Sequence, residues 1–367
     1  MIGLALVAAC SPPSLGDAAT EPDGSVQETP EVDAGPEADA IVVDKLDEWV
    51  WVPIEGMSCG DGSPSGVGVR FTGKSRNLVI WFQGNGVCYD AKSCAIFGNL
   101  LVGMGPDPLD HMWWGDANQG HTGIFDPDDT TNPFRDDNFV VLPHCTVDGH
   151  TADKQTAYPL LPVYEQHGYR NATVATRRIA ATFPDATRVV VAGFSAGGIG
   201  ATANYHQIAS AFEARGLPSP FLIADSGPLM RDPYLSQIAR NDLRSGWGLD
   251  DTVYQVCADC AVQGPGAAYQ AIAARHPGVR QSVLSSYADV TASSLYRLLN
   301  YDVNFIDGDR FKRGLLDLAT ANPQIRVFYF GGDRHGALPF PLADSPGLVD
   351  FLNAQLSGDQ AWQSVIP

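Results

Sequence analysis

With 367 residues and 44% hydrophobic content the chain can bury one sizeable core, and 42 acidic against 23 basic side chains give a net charge of −19. So acidic a surface excludes nucleic acid as a partner. Beyond the first residues no run approaches the roughly 20 apolar residues of a membrane span, so membrane contact is expected only through an N-terminal lipid anchor.

The first ten residues are apolar and end in small side chains before Cys10. Residues 6–10 resemble the lipobox of bacterial lipoproteins, in which the leader is cut before the cysteine and the thiol carries lipid; no Lys or Arg precedes the apolar run. Residues 11–45 read as a disordered acidic linker. From 11 to 44 there are nine acids and no base, among many Pro, Ala, Gly and Ser. Such a tether suits a protein held off a membrane surface, so export to a lipid-anchored or extracellular location is expected.

From residue 46 to 367 apolar β-type runs alternate with amphipathic segments. Residues 78–82, 139–142, 188–192, 221–224, 283–287 and 325–330 predict buried strands. Residues 173–182, 201–215, 267–274, 293–299 and 348–356 predict helices. This alternation implies one α/β domain with a mostly parallel sheet covered on both faces. Between 99 and 138 the pattern breaks down around His111, Trp113, Trp114 and His121, and so long a loop predicts a cover or lining for a site. The acids within 126–132 are weak calcium candidates, since an acidic loop containing Pro reads more simply as solvated.

Ser195 lies on a G-x-S-x-G turn, Gly193 to Gly197, between a β-branched run and a helical segment. A serine oxygen is a poor nucleophile unless it is held out of the chain beside a base, and a strand-to-helix elbow does the holding. The turn lacks the G-x-G-x-x-G spacing and the lysine of a phosphate-binding loop. On this architecture an acid and then a histidine follow at later strand ends. Of eight histidines only His206, His276 and His335 follow Ser195, and only His335 lies on a glycine-rich loop directly after a strand. It is the candidate general base. Asp289 is the candidate acid, with Asp225 at an earlier strand end as its rival; Asp333 is only two residues from the histidine. The amides of Ala196 and of Asn85 and Gly86, on the glycine turn 83–88, are the candidate oxyanion donors. This chemistry needs no metal and no cofactor.

Six cysteines remain after Cys10, and an even number in an exported chain suggests three disulfides. Cys257 and Cys260 form a C-x-x-C pair. No second such pair or nearby His pair completes a zinc site, so a bridge is the simpler reading.

Several separate pieces, in order, resemble the pectin acetylesterase family of Notum-like serine carboxylesterases. They are Cys59-Gly-Asp-Gly-Ser63, Trp81-Phe-Gln-Gly-Asn-Gly-Val-Cys88 with Cys94, Gly123-Ile-Phe-Asp126 followed by Asn132-Pro-Phe134, and residues 138–148. Residues 193–198, Asp225-Ser-Gly227, the Asp289 segment and the His335 loop follow, so the likeness, to a bacterial member, covers about residues 46–355. The resemblance implies an α/β-hydrolase fold, metal-free esterase chemistry and Ser195, Asp289 and His335 as the triad. It also implies bridges Cys88–Cys94 and Cys59–Cys145, leaving Cys257–Cys260. The implied reaction is removal of short acyl groups, acetyl foremost, from a carbohydrate such as pectin, by a monomer. Gln83 stands where the family usually has an acid, Val87 where an aromatic is common and His144 where Tyr is usual. With Val87, Trp113 and Trp114 expected to line the substrate site, two alternatives follow: a lipase-like carboxylesterase with a deeper apolar pocket, or a non-catalytic surface binding lipoprotein.

Overall fold

The computed structural model describes residues 39–98, 103, 108–109, 121–301 and 308–367. Cys10, Trp113 and Trp114 lie outside the described residues, as do the leader and most of the segment read as linker. Packing reaches into the end of that segment: Ile41 is buried and its amide donates to Thr182 Oγ1 at 2.7 Å.

Strands that run between two helical layers must be apolar on both faces. In β3 (Asn77–Phe82) Leu78, Ile80 and Phe82 join one core, and the alternating Val79 and Trp81 join the other. The chain before it supplies β1 (Val50–Ser58) and β2 (Pro64–Arg70); β4 (Asn138–Leu142) and the hairpin β5 (Lys154–Ala157) and β6 (Val163–Gln166) come after. Helix α1 (Gly168–Thr182), β7 (Arg188–Phe194), α2 (Ala196–Glu213) and β8 (Phe221–Asp225) carry the chain through the centre of the sheet. Three helices follow, α3 (Gln237–Trp247), α4 (Ala258–Gln263) and α5 (Ala268–Arg275). Then come β9 (Gln281–Ser286), α6 (Val290–Asn300), α7 (Gly308–Ala321), β10 (Ile325–Phe330) and α8 (Leu348–Leu356).

Eight of these strands form one sheet in the order β1-β2-β4-β3-β7-β8-β9-β10. β2 runs antiparallel to both neighbours and the other pairings are parallel. On one face α1 and α2 bring Ile179, Tyr205 and Phe212 onto Leu78, Val140 and Val189. On the other, Phe351 and Leu352 of α8 pack with Val79, Val141 and Phe328.

Every strand and helix predicted from the sequence is present, with ends displaced by a few residues. The sequence reading missed β1, β2, the β5–β6 hairpin, α3, α4 and α7. The chain also closes three disulfides, Cys59–Cys145, Cys88–Cys94 and Cys257–Cys260. Among the described residues no helix is long and apolar enough to cross a membrane, and no cluster of His, Cys, Asp and Glu could hold a metal ion. In the loop 126–132, Asp126 and Asp129 accept backbone amides from Asp128 and Thr131, so these carboxylates cap the turn.

Candidate active site

β7 ends at Phe194 and α2 begins at Ala196, which leaves Ser195 alone to make the turn, at φ +59° and ψ −124°. This strained left-handed conformation holds when the surroundings over-determine it. Here the Ser195 amide donates to the Asp225 carbonyl at 2.8 Å, and its carbonyl accepts the Gly198 amide at 2.9 Å. A Cβ on Gly197 would run into the Phe82 carbonyl, and one on Gly84 into the Phe194 carbonyl. Elbow and glycine turn therefore touch backbone to backbone. The Ala196 N–H, first in its helix, has no intrahelical acceptor.

The opposing glycine turn hangs from the end of β3 and is held from behind by a buried polar cluster. His144 N donates to Gln83 Oε1 at 2.8 Å, and His150 Nε2 lies 2.9 Å from the Gln83 carbonyl. Burial pushes the His150 ring down to about 4, so at neutral pH it is uncharged and donates through Nε2–H. Asp148 accepts from Thr146 Oγ1, the His150 amide and the Gly168 amide, and burial raises its carboxyl to about 6. On the turn itself the Gly86 amide donates to Asn85 Oδ1 at 3.1 Å, so of the two candidate donors there Gly86 is engaged by its neighbour's side chain.

His335 follows β10, and its Nδ1 lies 2.8 Å and 3.0 Å from the two oxygens of Asp289. Asp289 is fully buried and is also the N-cap of α6, accepting the amides of Thr291 and Ala292 at 3.0 and 2.8 Å. A carboxylate with this many donors is an acceptor only, so Nδ1 carries the ring proton and Nε2 is left with a lone pair. Nε2 is buried and has no hydrogen-bond partner among the described residues. Phe194, the residue before Ser195, packs against the imidazole with ring centroids 4.8 Å apart.

Asp225 does not face the imidazole nitrogen. Its Oδ2 accepts the amides of Ala337 and Leu338, at 2.8 and 2.7 Å, from the loop that carries His335. Burial raises this carboxyl to about 6. Asp333 meets the site only through its carbonyl, which accepts the Val290 amide at 3.5 Å.

Ser195, His335, Asn85, Gly86, Val87 and Ala196 all line one cavity of about 950 Å³. The rest of its wall is mainly apolar and comes from residues the sequence reading did not single out, among them Leu229, Leu243, Trp247, Val253 and Leu295. Their signal was present in α3, where Ala239, Leu243 and Trp247 repeat at helical spacing between an Ser236 cap and Gly248 in the left-handed conformation.

The sheet order and the elbow define an α/β-hydrolase. Residues 50–227, just under half of the chain, match the family model described as Pectinacetylesterase, the family that the sequence motifs resemble. The segment includes the glycine turn and Ser195 and stops before Asp289 and His335. Palmitoleoyl-protein carboxylesterase notum2 of Xenopus laevis is 28% identical over 163 residues, 43% of this chain and 31% of that protein. Human palmitoleoyl-protein carboxylesterase NOTUM is 24% identical over 178 residues, 47% of this chain and 34% of its own. The matched stretch thus spans about a third of these relatives. A structure of the Wnt deacylase Notum from Drosophila superposes with a TM-score of 0.64 at 17% identity, covering 86% of this chain and 94% of that one. At that identity the likeness speaks for the fold.

Proposed function

We propose that the protein is a serine carboxylesterase in which Ser195, His335 and Asp289 act as the triad. The observation that carries this reading is the Asp289–His335 pair: His335 lines the same cavity as Ser195, and its Nε2 has no other hydrogen-bond partner among the described residues. Ser195 Oγ attacks the ester carbonyl as His335 Nε2 takes its proton, and Asp289 stabilises the imidazolium that forms. The developing oxyanion is held by the Ala196 and Asn85 amides; Gly86 joins them once its amide leaves Asn85 Oδ1. His335 returns the proton to the leaving alcohol, and water then repeats the cycle on the acyl-enzyme.

The cavity favours a medium or long acyl chain over acetyl. Each methylene moved from water into an apolar wall gains about 0.8 kcal/mol, and an acetyl group would leave most of this volume without a role. The relatives' names, palmitoleoyl-protein carboxylesterases, support the same choice. Deacetylation of a carbohydrate such as pectin is the second reading, favoured by the family's description. An exported, tethered monomer remains the expected setting, and three disulfides suit an oxidising compartment.

A series of p-nitrophenyl esters from acetate to hexadecanoate tests the choice. On the acyl-cavity reading kcat/KM climbs about fourfold per methylene until the cavity is filled. A maximum at acetate supports the carbohydrate reading instead, and turnover that survives Ser195→Ala removes the triad from both.

A further inference from the structure

Resting on the reading of this cavity as the acyl site, we infer that Arg240 is an anion-binding residue at its far end and that the preferred substrates are esters whose acyl chain ends in a carboxylate. Ala196, Ile199 and Ala203 stand on one face of α2 and all line the cavity. At 1.5 Å per residue the wall from Ser195 to Ala203 is about 12 Å long. α2 packs on α5, and Ala268 at the start of α5, in one core cluster with Ala203, lines the cavity together with Pro265 of the preceding turn. Arg240 packs on that same turn: a Cβ on Gly264 would stand 3.0 Å from Arg240 Cδ. On α3, Arg240 shares its inward face with Leu243 and Trp247, which also line the cavity.

Among the described residues Arg240 alone brings a permanent charge to this wall. It is 8% exposed. Its Nη2 donates to Gln237 Oε1 at 2.6 Å and its Nη1 to the Leu235 carbonyl at 3.4 Å, while Nε is buried without an acceptor. No carboxylate of the described residues lies within ion-pair distance of it. A guanidinium does not deprotonate in a protein, and a buried cation without a counter-ion is costly, whereas an aliphatic side chain would complete the apolar wall at no such cost. A carboxylate delivered by the acyl chain supplies both the missing charge and an acceptor for the free donors of the fork. The reacting ester at Ser195 and the anion at Arg240 then set the chain length: a short diacid monoester fails to span them, and a neutral chain leaves the cation unpaired.

The test compares the mono-p-nitrophenyl ester of decanedioic acid with p-nitrophenyl decanoate, using the full chain and its Arg240→Met and Arg240→Lys variants. Wild type is expected to prefer the diacid monoester, and the ratio of the two kcat/KM values falls about tenfold or more in Arg240→Met and is partly retained in Arg240→Lys. A wild-type preference for decanoate, or a ratio equal in wild type and Arg240→Met, overturns the inference, and the first of these needs no variant to fold. Should neither ester be hydrolysed, the esterase reading fails on its own. Calorimetry with monomethyl decanedioate and methyl decanoate as ligands then decides the anion site: binding of the monomethyl decanedioate anion that weakens in Arg240→Met and Arg240→Lys upholds it, and equal binding of the anion and the neutral ester to wild type overturns it.

Discussion

Asp225 ties two loops together, accepting the Ser195 amide with its carbonyl and the Ala337 and Leu338 amides with its carboxylate. It is a positioning residue in the proposed mechanism, because misplacing His335 by an ångström costs on the order of 10²-fold in rate. Burial raises its carboxyl to about 6, so the folded state binds this proton more tightly than the unfolded chain does. The stability it contributes is therefore complete below the ordinary carboxyl value of about 3.9 and is lost as pH rises through the folded value. Asp225→Asn keeps an acceptor for the amides and removes the buried charge. In urea unfolding it should match or exceed wild type at mildly alkaline pH, with the advantage vanishing in acid, while Asp225→Ala loses about 10²-fold in kcat with KM little changed. Equal kinetic loss in both variants would remove the positioning role. From the sequence Asp289 was the candidate acid and Asp225 its strand-end rival; that Asp289 meets the imidazole while Asp225 holds the amides of the His335 loop depends on how that loop crosses the sheet, and a linear chain does not display the second contact.

At the level of elements, the strongly patterned pieces were legible. β10 and α8 fall at their predicted limits, and Ser195 stands at the strand-to-helix boundary where the turn placed it. The missed strands explain themselves locally. β1 contains Pro53 and Gly56, and in β2 Gly66 lies so close to the Val52 carbonyl that no side chain fits, so neither shows the β-branched run of a central strand. Helix α7 buries Phe311, Leu315 and Leu318 at helical spacing, but Gly314, set against Met230 and Tyr234, interrupts the stretch. The Cys59–Cys145 bridge pins the turn between β1 and β2 to the end of β4, beside the His144 amide that holds Gln83. Its loop spans 86 residues, so replacing both cysteines by serine should cost roughly 4 kcal/mol, read as a lower denaturant midpoint. An unchanged midpoint would mean that packing alone fixes this edge of the sheet.

Over the whole molecule the sequence announced a hydrolase scaffold more plainly than a substrate. Elbow, glycine turn and late histidine are contiguous signals, each within a few residues. The cavity is assembled from α2, α3, α5, α6 and the glycine turn, segments that lie as much as 216 residues apart in the chain (Gln83 to Leu299), and its apolar character appears only when they converge. That convergence moves the expected acyl group from acetyl toward a longer chain and exposes the isolated charge of Arg240. Everything rests on Ser195 being an activated nucleophile. The direct measurement is labelling of the folded protein with a fluorophosphonate, followed by mass mapping of the modified peptide. The account predicts one adduct, on Ser195, lost in Ser195→Ala and slowed in His335→Ala; a folded protein that takes no label, or takes it elsewhere, would contradict it.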